Sequence, residues 1–180
     1  LAGYTQGYRL AVLAQKPAAI QINYLGYPGT SGLSVIDYII ADKTVIPESS
    51  FQFFSEKVIH VAGSYLCSDP TRALDEHLPS RAELGLPENS FVFCCFNHHY
   101  KITPHWFELW MRVLHAVNNS VLWLSASNDL AQKHLQQKAV ACGVDASRLV
   151  FAERTPEPSQ HLSRLRQADL FLDTLPYNAH

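Results

Sequence analysis

The stretch "FVFCCFNHHYKITPHWFELW", residues 91–110, passes from strand chemistry into helix chemistry with only residues 97–101 between them. The run "SFVFCCF" (90–96) is continuously apolar, as a strand covered on both faces must be. Thr103 and Pro104 then carry the signature of a helix start, a hydroxyl N-cap followed by proline at the first helical position. Trp106, Trp110, Val113, Leu114 and Val117 recur at helical spacing, which predicts a helix laying one apolar face on a sheet. A plain connector would use Gly, Asn or Ser. This one holds His98, His99, Tyr100 and Lys101.

Downstream the same alternation repeats. "SVLWLS" (120–125) reads as a strand, Asn128 to Cys142 as a helix ended by Gly143, and "RLVFA" (148–152) as a strand. A helix over 158–167 and a strand "DLFLD" (169–173) follow. Strands alternating with helices through short links imply a parallel sheet wrapped by helices, of Rossmann type. Upstream the pattern is looser. "AAIQINYLG", "SVIDYIIAD" and "KVIHVAGSY" read as three strands, the first leading into the loop "GYPGTSG" (26–32). Residues 68–89 are polar, contain three prolines and predict a short helix ending at Gly85. They divide the chain into a first α/β unit over 1–69, a connector over 70–88 and a second unit over 89–180.

Composition narrows the function classes. With 47% hydrophobic residues the 180-residue chain can build a sizeable core, which argues against intrinsic disorder. A net charge of −2 argues against a nucleic-acid binder that works by phosphate neutralisation. No apolar run approaches the roughly 20 residues of a membrane helix, and the first residues lack a signal-peptide pattern. Cys67, Cys94, Cys95 and Cys142 show no framework spacing, so reduced thiols in a cytoplasmic protein are the expectation. The chain begins without Met and ends at "PYNAH", where a loop should feed another element, so it reads as a segment of a longer polypeptide.

In open parallel sheets ligands bind beyond the carboxyl ends of the strands. The loops at those ends are "NHHYK", "ERTPEPSQH" and "TLPYNAH", and they bring Lys101, His161, Arg164 and His180 to one edge. Helix N-termini add backbone donors and positive partial charge, a combination suited to an anionic ligand such as a diphosphate. Each residue also has a plainer reading. Position alone leaves Lys101 either a ligand contact or a solvated lysine, and His161 either a ligand contact or a helix-start surface residue. Asp173 at a strand end can simply cap its loop. His60 reads as a satisfied core histidine, and His105, His115 and His134 as surface or packing residues on helices. His98 and His99 beside Cys94 and Cys95 match no zinc spacing such as C-x2-C, so no metal site is expected. The loop "GYPGTSG" lacks both the lysine of a P-loop and the G-x-G-x-x-G spacing. Its glycines permit close backbone approach to a ligand, or simply a tight turn at a domain face.

Five blocks taken in order resemble a known family: "QINYLGYPGTSG" (21–32), "SEKVIHV" (55–61), "CCFNHHYKI" (94–102), "NSVLWL" (119–124) and "ADLFLDTLPYNAH" (168–180). Together they resemble the O-linked N-acetylglucosamine transferase/SPINDLY family, the bacterial members most of all. The resemblance implies a GT-B glycosyltransferase fold, two Rossmann-like lobes facing a nucleotide-sugar cleft, with this chain carrying parts of both. It implies inverting transfer of a sugar, N-acetylglucosamine from its UDP donor being the leading choice, onto Ser or Thr hydroxyls of a protein or peptide. No nucleic-acid or membrane partner and no metal are implied. A nucleotide-sugar-binding scaffold that has lost turnover is the alternative.

Carried over residue by residue, the family's F-N-Q-x-Y-K block places its diphosphate-binding lysine on Lys101. Its nucleotide-contacting glutamine falls on His98, a departure from the common form. The A-P-x-x-x-H-x-x-R region, which holds uridine and phosphates, falls on Thr155, Pro156, His161 and Arg164, with one residue inserted before the histidine. The histidine of N-G-H-T-T falls on His180, with Ala179 in place of glycine. Gly26 and Pro28 match the loop lining the sugar and acceptor side. The family's proposed catalytic histidine and its tetratricopeptide repeats lie upstream of the matched region.

Overall fold

The strand read from residues 91–95 forms the middle of a four-stranded sheet in the computed structural model, which describes residues 7, 9–126 and 128–179. The chain divides at Pro70/Thr71 into two units. In the second, strands β4 (Phe91–Cys95), β5 (Ser120–Ser125), β6 (Leu149–Ala152) and β7 (Leu170–Phe171) are parallel in the order β6-β5-β4-β7. Helices α2 (Pro104–Ala116), α3 (Asp129–Ala141) and α4 (Pro158–Leu165) connect them.

Because successive strand residues face opposite sides, β4 contributes to two cores. Phe93 and Cys95 join Leu122, Leu124 and Leu149 beneath Phe107, Trp110, Met111 and Leu114 of α2. Val92 and Cys94 join Val121, Trp123, Ala152 and Leu86 on the other face. Burial pushes the Cys94 thiol up to about 12 and the Cys95 thiol up to about 11, so both are inert packing groups. The buried stripe of α2 is Phe107, Trp110, Met111 and Leu114: Trp110 and Leu114 are as expected and Val113 packs against the core, whereas Phe107 and Met111 are buried in place of Trp106 and Val117. Trp106 is left half-buried at its margin, and Val117 is the exposed C-cap. Thr103 caps α2 as expected, accepting from the Trp106 N–H at 3.4 Å, and Asn128 caps α3 through Ala131 at 2.7 Å. Arg148 closes the far end of α2 by donating to the carbonyls of Leu114 and Val117.

One reading is corrected. Residues 81–85 form consecutive turns rather than a helix, because Gly85 at φ +68° and the Leu86 N–H bonded back to Arg81 O close the chain after one turn. A single turn fixes several dihedrals for few hydrogen bonds and does not propagate. The segment read as a connector packs with the second unit: Leu86 is buried in its core, Leu84 lies against it, and Asp75 N–H donates to Ser163 Oγ at 2.8 Å.

The first unit holds a helical turn α1 (Leu10–Ala14) and a parallel sheet of β1 (Ile22–Asn23), β2 (Tyr38–Ala41) and β3 (Lys57–His60) in the order β1-β2-β3. These strands are shorter than the apolar runs that predict them. One face is covered by Ile39, Ala41 and Ile46 with Phe54 and Val58. Asp42, just past β2, accepts from the backbone N–H groups of Thr44, Val45 and Tyr65 and so ties the turn after β2 to the segment at Tyr65. His60 is half-buried and bonded to Ile46 O at 2.8 Å. No helix among the described residues is long and apolar enough to cross a membrane.

Candidate functional site

All four strands of the second unit are parallel, so their carboxyl ends share one edge. The loops after β4 and β7 are bonded into one body there. Asn97 Nδ2 donates to Asp173 Oδ1 at 3.0 Å and to Thr174 Oγ1 at 2.8 Å. Asp173 Oδ1 also accepts from the N–H groups of Thr174 and Ala179, which is the loop-capping role its position allows. Lys101, on a 3-10 turn over His99–Lys101, reaches across to Asn178 O at 3.0 Å.

Phe96 joins this body to the loop after β6. Its ring meets His161 edge-on at 5.3 Å, and the Arg164 guanidinium sits 4.8 Å above it. Arg164 is buried, and its Nε and Nη2 donate to His161 Nδ1 at 3.1 and 2.9 Å while Nη1 donates to Glu153 O. A guanidinium has donors only, so His161 Nδ1 must carry the lone pair and Nε2 the proton. His161 is therefore a neutral ring with one N–H to offer. Burial first and the Arg164 charge second hold its pKa below the ordinary histidine value. Neither Lys101 nor Arg164 forms an ion pair with a carboxylate among the described residues.

A cavity of about 470 Å3 opens beside Arg164. Arg154, Thr155, Pro156 and Trp123 line it, together with His77 and Glu83 of the segment after Thr71. The Trp123 indole N–H is buried with no partner among the described residues. Of the expected residues, Thr155, Pro156 and Arg164 line this cavity, whereas Lys101, His98 and His161 lie outside its lining. His98 is exposed and stacks on Tyr100 with ring centroids 5.2 Å apart and planes 10° from parallel. His180 lies outside the described residues.

Gly26 and Pro28 lie in the first unit, on the loop beyond the carboxyl end of β1. The Tyr27 ring lies over Gly29, where a Cβ would push it aside, and Gly32 has φ +68°, a backbone conformation that favours glycine. Tyr24 OH fixes the loop's start to Tyr65 O at 2.9 Å. Glu56 fixes its end, accepting from Thr30 Oγ1 at 2.6 Å, from Ser31 N–H at 2.7 Å and from Ser31 Oγ.

Sequence reasoning passed over Phe96, Asn97, Trp123, Glu56 and the lining at His77 and Glu83. Phe96 and Trp123 read only as apolar strand residues. No three His, Cys, Asp or Glu side chains among the described residues gather as metal ligands do.

The model of glycosyl transferase family 41 matches residues 1–81 and 71–180. The probable UDP-N-acetylglucosamine–peptide N-acetylglucosaminyltransferase SEC of Arabidopsis thaliana is 36% identical over the whole chain. The probable transferase SPINDLY of Oryza sativa is 32% identical over 98% of it. Either way the chain spans 19% of the relative's length. A solved mutant of Thermobaculum terrenum O-GlcNAc transferase superposes with a TM-score of 0.81 at 26% identity, over 94% of this chain and 32% of that one. That likeness bears out the expected α/β architecture of GT-B type.

Proposed function

The chain belongs to glycosyl transferase family 41, and from that premise we propose that it carries the donor-binding part of a transferase moving a sugar from a nucleoside diphosphate to a peptide hydroxyl. The observation that supports this is the gathering of two cations, Lys101 and Arg164, and the neutral donor His161 on one strand edge, without carboxylate partners among the described residues. Such an edge suits a dianionic leaving group.

In this reading the acceptor oxygen of Ser or Thr attacks the anomeric carbon from the side opposite the diphosphate. The C–O bond to phosphate breaks, its electron pair leaves with the nucleoside diphosphate, and the sugar configuration inverts. The hydroxyl proton goes to a base outside this segment. Lys101 offsets the charge growing on the diphosphate and makes a metal unnecessary. Thr155, Pro156, His161 and Arg164 hold the nucleoside, UDP with N-acetylglucosamine as the leading donor. His98 and His180 contact the nucleotide and phosphates, and Gly26 and Pro28 serve the sugar and acceptor.

Calorimetry with UDP on the full-length protein tests the assignment. His161→Ala is expected to weaken binding about ten-fold, the loss of one good hydrogen bond to a charged ligand. Equal affinity in both proteins removes His161 from the site. Treatment with EDTA is expected to leave turnover unchanged, and a large loss would reinstate a metal.

A further inference from the structure

Glu56 stands at the amino end of β3, beside Lys57 in a sequence that reads as surface, yet it is only 4% exposed. A carboxylate so placed is costly unless it is fully hydrogen-bonded. Here Oε2 accepts from Thr30 Oγ1 at 2.6 Å and from Ser55 Oγ at 3.1 Å, while Oε1 accepts from the backbone N–H and the hydroxyl of Ser31. Thr30 Oγ1 in turn accepts from the N–H groups of Gly32 and Ser55 at 3.1 and 3.2 Å. Burial alone would raise the Glu56 carboxyl, but the bonds from Ser31 and Thr30 outweigh it and hold its pKa below the ordinary range. The charged form is the one that fits.

Almost every partner of this carboxylate belongs to the last residues of the loop 26–32 or touches them. The loop's other anchor is Tyr24 on Tyr65 O. Between the two anchors run Gly26, Tyr27, Pro28 and Gly29; glycines leave such a span free to take many paths, so the two tethered ends are what confine it. A cap that only stabilised β3 would bond β3. This one bonds the loop.

We infer that Glu56 is a positioning residue: its carboxylate fixes the path of residues 26–29 and thereby the alignment of the donor sugar in transfer. The role rests on the transferase reading, in which Gly26 and Pro28 serve the sugar. Misplacing a positioning backbone by about 1 Å can cost as much as 100-fold in rate without touching the reacting groups. Nucleotide binding by the second unit does not involve Glu56.

The test uses the full-length protein with UDP-N-acetylglucosamine, a peptide acceptor and, separately, UDP alone. Glu56→Ala is expected to lower kcat/KM for the sugar donor by about ten-fold or more while the Kd for UDP stays within about two-fold. Glu56→Gln keeps the length and an acceptor for Ser31 N–H and is expected to recover activity to within about three-fold. Ser31→Ala, a small change, lowers kcat/KM by about three-fold at unchanged Tm. Glu56→Ala folded and active within about two-fold of the original overturns the role. If Glu56→Ala does not fold, an unaltered kcat/KM in Ser31→Ala overturns it instead. A UDP Kd that worsens as much as kcat/KM also overturns it, since the damage is then global. Absence of transfer by the unsubstituted protein overturns the transferase reading and this role with it, whereas transfer indifferent to all three variants overturns this role alone.

Discussion

The sheet of the first unit packs its buried residues on one face, behind Ile39, Ala41 and Ile46, while Ile22 and Ile59 stay 49% and 38% exposed. The sheet of the second unit is covered on both faces, by α2 and α3 on one and by α4 and Leu86 on the other. Their candidate sites differ in the same sense. The second unit presents side chains, Lys101 from the turn after β4 and Arg164 from α4, both on elements packed on a double core. The first presents backbone, Gly26 to Gly29, whose path depends on hydrogen bonds to Tyr65 and Glu56. A rigid scaffold allows a site to be built of charges. A thinner one needs polar anchors to hold a loop in place.

Substitutions in the cores test that contrast most strongly. Phe107→Ala is expected to destabilise the second unit by about 3–5 kcal/mol, since Phe107 is 2% exposed in the core beneath α2. Ile46→Val in the first unit should cost only about 0.5–1.5 kcal/mol. Urea denaturation of the 180-residue chain, followed by hydrogen exchange, measures both. Lower protection in β1–β3 than in β4–β6 is expected before any substitution. Equal protection would break the comparison. Next in size is Lys101→Ala in the full-length protein, expected to lower kcat by about 100-fold or more with the melting temperature unchanged. Turnover within a few-fold would remove Lys101 from the diphosphate.

Much of this contrast was legible in residues 91–110. A short apolar run rich in Phe and Val, followed at once by a helix start, reads as a strand covered on both sides, and the Thr103–Pro104 start needed no tertiary information. The membership of the α2 stripe did. Trp106 and Phe107 are both aromatic neighbours, and only the position of the sheet decides which of them is covered. The short strands of the first unit were overestimated because apolar composition does not report which backbone groups find a ladder partner. Glu56 was invisible for a simpler reason: next to Lys57 it looks solvated, and its partners Thr30 and Ser31 lie 26 and 25 residues away. Arg164 and His161 were legible as ligand candidates, but their mutual hydrogen bond was not.

That bond gives a smaller, pH-dependent prediction. His161 is held neutral in the fold, with its pKa below the unfolded value, first by burial and then by Arg164. Between the two values the unfolded chain binds more protons, so stability is complete above about pH 6.5 and is lost as pH falls toward the folded pKa. Arg164→Met removes the neighbouring charge and the donor to Nδ1. The folded pKa should rise, and the slope of unfolding free energy between pH 5 and 7 should flatten. Imidazole NMR titration of His161 reads the shift directly. An unmoved midpoint would show that burial alone sets the ring's state.

The smallest effect is expected at His98, where the family's common residue is glutamine. The position is exposed, and its ring stacks on Tyr100, itself 71% exposed, so the side chain is held by one ring contact on the solvent face of the β4–α2 loop. Neutral imidazole and carboxamide each supply a donor and an acceptor. His98→Gln therefore keeps the hydrogen-bonding repertoire and gives up only the stacking. The UDP Kd should change by less than about three-fold, below one ordinary hydrogen bond's worth. The ratio of UDP to GDP affinity should likewise stay within that range if the cavity beside Thr155 and Arg164 does the reading. A ten-fold change in either quantity would move base recognition from that cavity to an exposed loop residue. The second unit's site would then depend on a loosely held side chain, as the first unit's depends on a loop.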